Sequence, residues 1–120
     1  MKEPGADHPI TIVPEPRRVR VLAAGVAVAD TRNALRLEEA QYPAVFYVPR
    51  ADIRAASFVA STRTSHCPYK GDACYFDLAV DGTLRHDAVW SYEAPYPAVG
   101  AIRGHVAFYP ERVDAIEVTD

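Results

Sequence analysis

In the stretch His66-Cys67-Pro68-Tyr69-Lys70-Gly71-Asp72, the chain brings a thiol, an imidazole and an amine within a few residues of one another. A thiol is a nucleophile only as thiolate, and a neighbouring cation such as Lys70, with His66 beside it, favours that form if the loop folds back on itself. Lys70 can equally meet a phosphate or carboxylate as a point charge. Gly71 allows positive φ or a close approach of backbone to ligand. Three readings follow from these residues: an ordinary structural turn, an anion-binding loop, or a loop carrying a Cys67 nucleophile. The two cysteines, with six residues between them and one nearby His, do not make a zinc signature, because structural zinc takes four ligands at tighter spacing. No metal ligand set is predicted.

The elements that hold this loop read as strands. From Ala73 to Val80 the residues alternate, with Cys74, Phe76, Leu78 and Val80 on one side and Tyr75, Asp77 and Ala79 on the other. On this phasing Cys74 is a core residue, and Cys67, placed before the strand and followed by Pro68, is the reachable thiol. Asp81-Gly82 predicts a hairpin returning over Leu84 to Tyr92. To set Leu84, Ala88 and Trp90 beside Phe76 and Leu78, that hairpin needs a bulge near Gly82.

Upstream, Pro4, Pro9, Pro14 and Pro16 predict an extended arm over residues 1–16, with one β-rich domain over 17–120. Strands are expected over Arg18–Ala23 and Val26–Ala29 around Gly25, over Leu35–Glu38, and over Val45–Val48. Asp52 is placed to cap a short helical turn at Ile53–Ser57. Phe58–Thr62 is expected to be extended, leading into His66 and Cys67. Ala98–Arg103 predicts a further helical turn ending at Gly104, and His105–Tyr109 and Ala115–Val118 complete the strands. The fold class is therefore mainly β: a small domain of curved antiparallel sheets, partly open and barrel-like, with one or two short helical turns.

At 120 residues the chain suits a single core, and 49% hydrophobic with 24% charged residues is globular composition. The 13 basic and 16 acidic residues leave a net charge of −3, which gives nucleic acid no overall attraction. Two cysteines, and no signal-like or membrane-length apolar run, predict a cytoplasmic protein with free thiols, working as a monomer or homodimer. No Gly-rich phosphate fingerprint follows a strand and opens a long helix, which disfavours Rossmann and P-loop readings and leaves the cofactor unknown.

Several blocks carry a likeness beyond these patterns: Tyr42-Pro43, Tyr47-x-Pro49-Arg50-x-Asp52, Cys67-Pro68-Tyr69-Lys70-Gly71-x-Ala73, Trp90-x-Tyr92-x-x-Pro95 and Gly104-x-Val106-Ala107-Phe108-Tyr109. Over about residues 17 to 118 the chain resembles the bacterial domain-of-unknown-function family 427, labelled nucleotidyltransferase-like. The resemblance implies a small, mainly antiparallel structure of curved sheets. Metal-dependent nucleotidyl transfer requires carboxylates gathered around a divalent ion, whereas Asp52, Asp72, Asp77 and Asp87 are scattered along this chain.

The expected site is a pocket for a small anionic, nucleotide-like ligand. Lys70 and Arg50 meet the charge, Tyr47, Trp90 and Tyr92 line the cavity, Gly71 shapes the loop, and Cys67 sits at the mouth. The alternatives are an enzyme, using Cys67 with Lys70 and assistance from His66 or Glu39, or performing nucleotidyl transfer, and a non-catalytic interaction module that dimerises through the arm or a strand edge.

Overall fold

The computed structural model describes residues 1–120. Ten strands run in order: β1 (Ile10–Glu15), β2 (Arg18–Ala23), β3 (Val26–Thr31), β4 (Ala34–Glu39), β5 (Val45–Tyr47), β6 (Phe58–Cys67), β7 (Gly71–Val80), β8 (Thr83–Ser91), β9 (Val106–Phe108) and β10 (Ala115–Thr119). They form three antiparallel sheets, ordered β1-β4-β5, β10-β2-β3 and β6-β7-β8-β9, and the structure does not close into a barrel. Four short 3₁₀ turns, rather than one or two, punctuate the loops. Paired backbone bonds of 2.7 and 2.9 Å between Val48 and Val106 join the first sheet to the last.

The second half of the Pro-rich arm is a full strand, with Ile10–Glu15 laddered along β4 from Glu39 to Ala34. Glu15 ends this strand almost fully buried, and Arg17 and Arg36 close on its carboxylate at 2.8 and 3.1 Å. The Arg17 hydrogen bonds hold its pKa down at about 2 despite the burial. Before β1, Lys2 N–H donates to Pro68 O at 2.7 Å, so the first residues lie across the β6–β7 turn.

Two expected reversals form where the sequence places them. Ala24-Gly25 and Asp81-Gly82 are two-residue turns with all four residues at positive φ, the geometry that matches strand twist in a hairpin. The bulge, however, is not at Gly82. Thr83 pairs directly with Val80 and Leu84 with Ala79, so Leu84 is on the side opposite Leu78 and 50% exposed. The irregularity lies farther along β8, where His86–Ala88 stand opposite Asp77 alone, Asp87 takes φ +50°, and its N–H donates to Asp77 Oδ1 at 2.7 Å. A second bulge, Ser61–Arg63 of β6, faces Tyr75 from the other side, and Ser61 Oγ donates to Asp87 Oδ1.

These two bulges change the face that β7 buries. Ala73 and Tyr75 are buried at one end, Leu78 and Val80 at the other, so the alternation slips one residue between them. Two cores result. Val21, Val28, Leu78, Val89, Val106 and Phe108 belong to an aliphatic one; Leu37, Tyr47, Tyr75, Tyr92, Val99 and Ile102 belong to one rich in tyrosine. Cys74 falls in neither. It is half-buried beside Glu93, with Sγ 3.7 Å from the carboxylate, which corrects its expected core position. Burial, with the Glu93 charge added, raises its thiol pKa. Asp52 caps no helix; it accepts a 2.7 Å hydrogen bond from Thr31 Oγ1.

Candidate functional site

Cys67 is the last residue of β6, not part of a free loop, and it pairs with Gly71 across a tight connection of Pro68, Tyr69 and Lys70. Pro68 fits the first corner of this turn because its φ is preset, and Lys70 N–H closes it onto Cys67 O at 3.3 Å. Gly71 follows at φ +108°. A Cβ there would make only ordinary contact with Ala94 O at 3.5 Å, so it is the backbone conformation that favours glycine. Tyr96 N–H donates to Lys70 O and fixes that segment to the turn. The glycine therefore shapes the turn and does not line the cavity.

This geometry draws the Lys70 side chain inward until the residue is only 8% exposed. Its Nζ donates to Glu39 Oε1 at 2.5 Å and to Cys67 Sγ at 3.6 Å. The other Glu39 oxygen meets His8 Nε2 at 2.7 Å, and the His8 ring stacks on Tyr69 with centroids 3.9 Å apart. Burial raises the Glu39 pKa, but the hydrogen bonds from Lys70 and His8 outweigh it and hold the carboxyl below its ordinary value. The result is a His8–Glu39–Lys70 chain of charge-assisted hydrogen bonds with a thiol at its end.

The chain forms one end of a cavity of about 490 Å³. Leu37 and Val45 supply aliphatic wall, and Tyr75, Trp90, Tyr92 and Tyr109 supply aromatic wall. Trp90 packs on Tyr109 with centroids 4.5 Å apart and donates from Nε1 to the buried Tyr47 hydroxyl at 3.2 Å. Tyr75 and Tyr109 are parallel at 6.4 Å, the guanidinium of Arg63 lies 4.5 Å over the Tyr75 ring, and Ser65 Oγ is 2.7 Å from its hydroxyl. Burial pushes the Tyr109 pKa up to about 12 and raises those of Tyr47 and Tyr92 further. At neutral pH these phenols are therefore protonated; Tyr92 and Tyr109 line the cavity and can donate hydrogen bonds into it, whereas the Tyr47 hydroxyl lies behind Trp90.

Of the residues expected at the site, Cys67, Lys70, Trp90 and Tyr92 do line this cavity, and Tyr47 lies behind Trp90. Arg50 does not join them. It pairs with Glu93, donates to Ser91 Oγ at 3.2 Å and lies over Phe76 at 5.2 Å. His66 also points away, bonded to Asp72 at 2.7 Å, which leaves Glu39 as the acid–base group near Cys67. His8, Tyr75 and Tyr109 were not expected. Glu39 carried a signal as a site residue: with Leu35 and Leu37 it occupies the apolar phase of β4, where a carboxylate needs a partner.

The four scattered aspartates do not gather at one point, although Asp77 and Asp87 touch. Asp52 is with Thr31, Asp72 with His66, Asp77 with the Asp87 backbone, and Asp87 with Ser61. No three His, Cys, Asp or Glu side chains are arranged to hold a metal ion, so these residues do not fit the metal that nucleotidyl transfer would need.

Three open antiparallel sheets with a tyrosine-walled cavity beside a Cys-Pro-Tyr-Lys-Gly turn define a small mainly-β domain. The match to family 427 is direct: residues 11–119 fit it, and the chain belongs to this family, described as a domain of unknown function (DUF427). The family's short label abbreviates nucleotidyl transfer, and it is the label alone that names this activity. No curated protein matches the chain. No helix is long and apolar enough to cross a membrane.

Proposed function

We propose that this domain binds a small molecule combining a planar ring with an anionic group in the Tyr75–Trp90–Tyr109 cavity. One observation carries the reading: the buried Lys70, held by Glu39, lines an aromatic-walled space of about 490 Å³, within the ~300–1,000 Å³ usual for ligand pockets. The rings offer stacking surface, the phenols offer donors, and Lys70 supplies a cationic hydrogen-bond donor beside Glu39. Its two unpaired cysteines suit a reducing, cytoplasmic setting.

A thermal-shift comparison tests the reading. Phenyl phosphate, benzoate and adenosine monophosphate combine ring and anion; adenosine, benzamide and inorganic phosphate carry one feature each. A combined probe at about a hundred times its Kd is expected to stabilise the fold by about 2.7 kcal/mol, with each single-feature probe well below it. Equal response to inorganic phosphate and phenyl phosphate removes the role of the rings.

The 3.6 Å contact between Lys70 Nζ and Cys67 Sγ favours a second reading, in which Cys67 acts as a nucleophile toward the bound molecule. Iodoacetamide is then expected to label Cys67 faster than Cys74, whose thiol stands against the Glu93 carboxylate, and Lys70→Met should narrow the gap. Equal rates in the unaltered protein would remove this reading.

A further inference from the structure

A second hollow, of about 640 Å³, adjoins the aromatic cavity. Paired positions put Val21 opposite Ile116 and Val19 opposite Val118, so these four share one face of the β10–β2 sheet, and all four line the hollow. The reverse face is charged, with Arg20 bridging Glu117. Twelve of the 14 residues around the hollow are hydrophobic, the other two are prolines, and none is charged. A polar group placed there would lose its water and find few partners.

Tyr42, Val45 and Trp90 line both spaces, so the two are neighbours across a shared wall. Tyr42 is 64% exposed and follows Ala40, which takes positive φ, so the wall includes a ring on a surface turn. At one end of this double space stand His8, Glu39 and Lys70; at the other there is only hydrocarbon.

We infer that the ligand is amphipathic: an aromatic or other planar anion in the tyrosine-walled cavity, extended by a hydrocarbon chain that passes the Tyr42–Trp90 wall into the valine-lined hollow. This inference rests on the function proposed above and adds the chain. A small polar ligand would leave the larger hollow unused, whereas a chain removes apolar surface from water on both partners.

Trp90 stands in the wall shared by both spaces, and binding is read by isothermal titration calorimetry, a signal that added tryptophans do not disturb. Benzoate and its para-methyl, para-butyl, para-hexyl and para-octyl derivatives are titrated below their micelle concentrations. Affinity is expected to rise about fourfold for each methylene buried and to level off once the hollow is full. Ala44→Trp, at an exposed position lining only the hollow, and Val118→Trp, at its strand end, should flatten the series and leave benzoate itself unaffected. If benzoate binds with no gain along the series, the chain inference fails and the anion-binding reading stands. If neither benzoate nor any derivative binds, both fall. A rise that survives both tryptophan substitutions is general hydrophobic adsorption and overturns the inference. So does a concentration-dependent dimer, seen by sedimentation and abolished by Ala44→Trp, because a second copy then fills the hollow.

Discussion

The two cores share strands β7, β8 and β9 yet are built on different terms. In the aliphatic one, valines, alanines and Phe108 close around Leu78 and Val89, neither of which is exposed. In the tyrosine-rich one, side chains with hydroxyls leave a cavity and surround a buried ion pair. The difference shows what each half can do. The aliphatic core is closely packed about Leu78 and Val89, and the space that its Val21, Val48 and Phe108 help to wall is apolar. A core of tyrosines can leave space, because its polar tips find one another and neighbouring groups: no buried side-chain nitrogen or oxygen lacks a partner. The slip in β7 makes this possible, since one strand serves both cores only by exchanging faces at Asp77.

The largest effect expected from breaking this comparison comes from the filled half. Leu78→Ala should cost about 2–5 kcal/mol in urea unfolding, because the lost methyl groups leave a cavity among side chains with little freedom to collapse. Benzoate binding, corrected for the folded fraction, should not change. If binding falls with stability in this variant alone, the two cores are not separable.

The next effect is at the ion pair. Lys70→Met keeps most of the volume and removes the charge, leaving Glu39 with His8 alone, and should cost about 1–3 kcal/mol, the usual penalty for a buried polar group that loses a partner. Adding Glu39→Gln removes the stranded charge and should recover much of that stability. Anion binding should stay lost in both variants. Recovery of binding along with stability would show that Lys70 supports the fold and does not meet the ligand. The pair also sets a pH dependence. Because the Glu39 pKa is depressed in the folded state, its contribution is present above the unfolded carboxylate pKa and fades as the pH falls through the folded value.

Most strand segments and the hairpin turns were legible in the sequence where local chemistry decides them. Asp81-Gly82 and Gly25 produce their hairpins because few other residues accept positive φ there. Face assignment on β7 was not legible, because it depends on two bulges in other strands, and Asp87 at φ +50° carries no local glycine to announce one. The site was half legible. The Cys-Pro-Tyr-Lys-Gly turn showed that Cys67 and Lys70 are near each other. That Lys70 is buried follows from Glu39, 31 residues away, which closes on it from β4. His8 reaches the same carboxylate from beyond Pro9, through a stack on Tyr69 that no periodicity signals. Arg50 was misplaced because spacing along the chain does not show which side of a sheet a loop will reach.

Arg50 gives the smallest effect and the sharpest control on where the site ends. Its guanidinium is 42% exposed, its carboxylate partner Glu93 is 51% exposed, and both are bonded to each other in solvent. Exposed pairs of this kind contribute about 0–1 kcal/mol, and the contact with Phe76 adds surface cover more than burial. Arg50→Ala should therefore lower stability by less than about 1 kcal/mol and leave benzoate affinity where it was, although this residue carries a permanent positive charge that an anion would seek. The physical reason is position: Lys70 lines the tyrosine-walled cavity and Arg50 does not. Loss of benzoate binding in Arg50→Ala with Lys70 intact would move the anion from the cavity to the Arg50–Glu93 surface, and the aromatic core would then be a packing arrangement without a ligand.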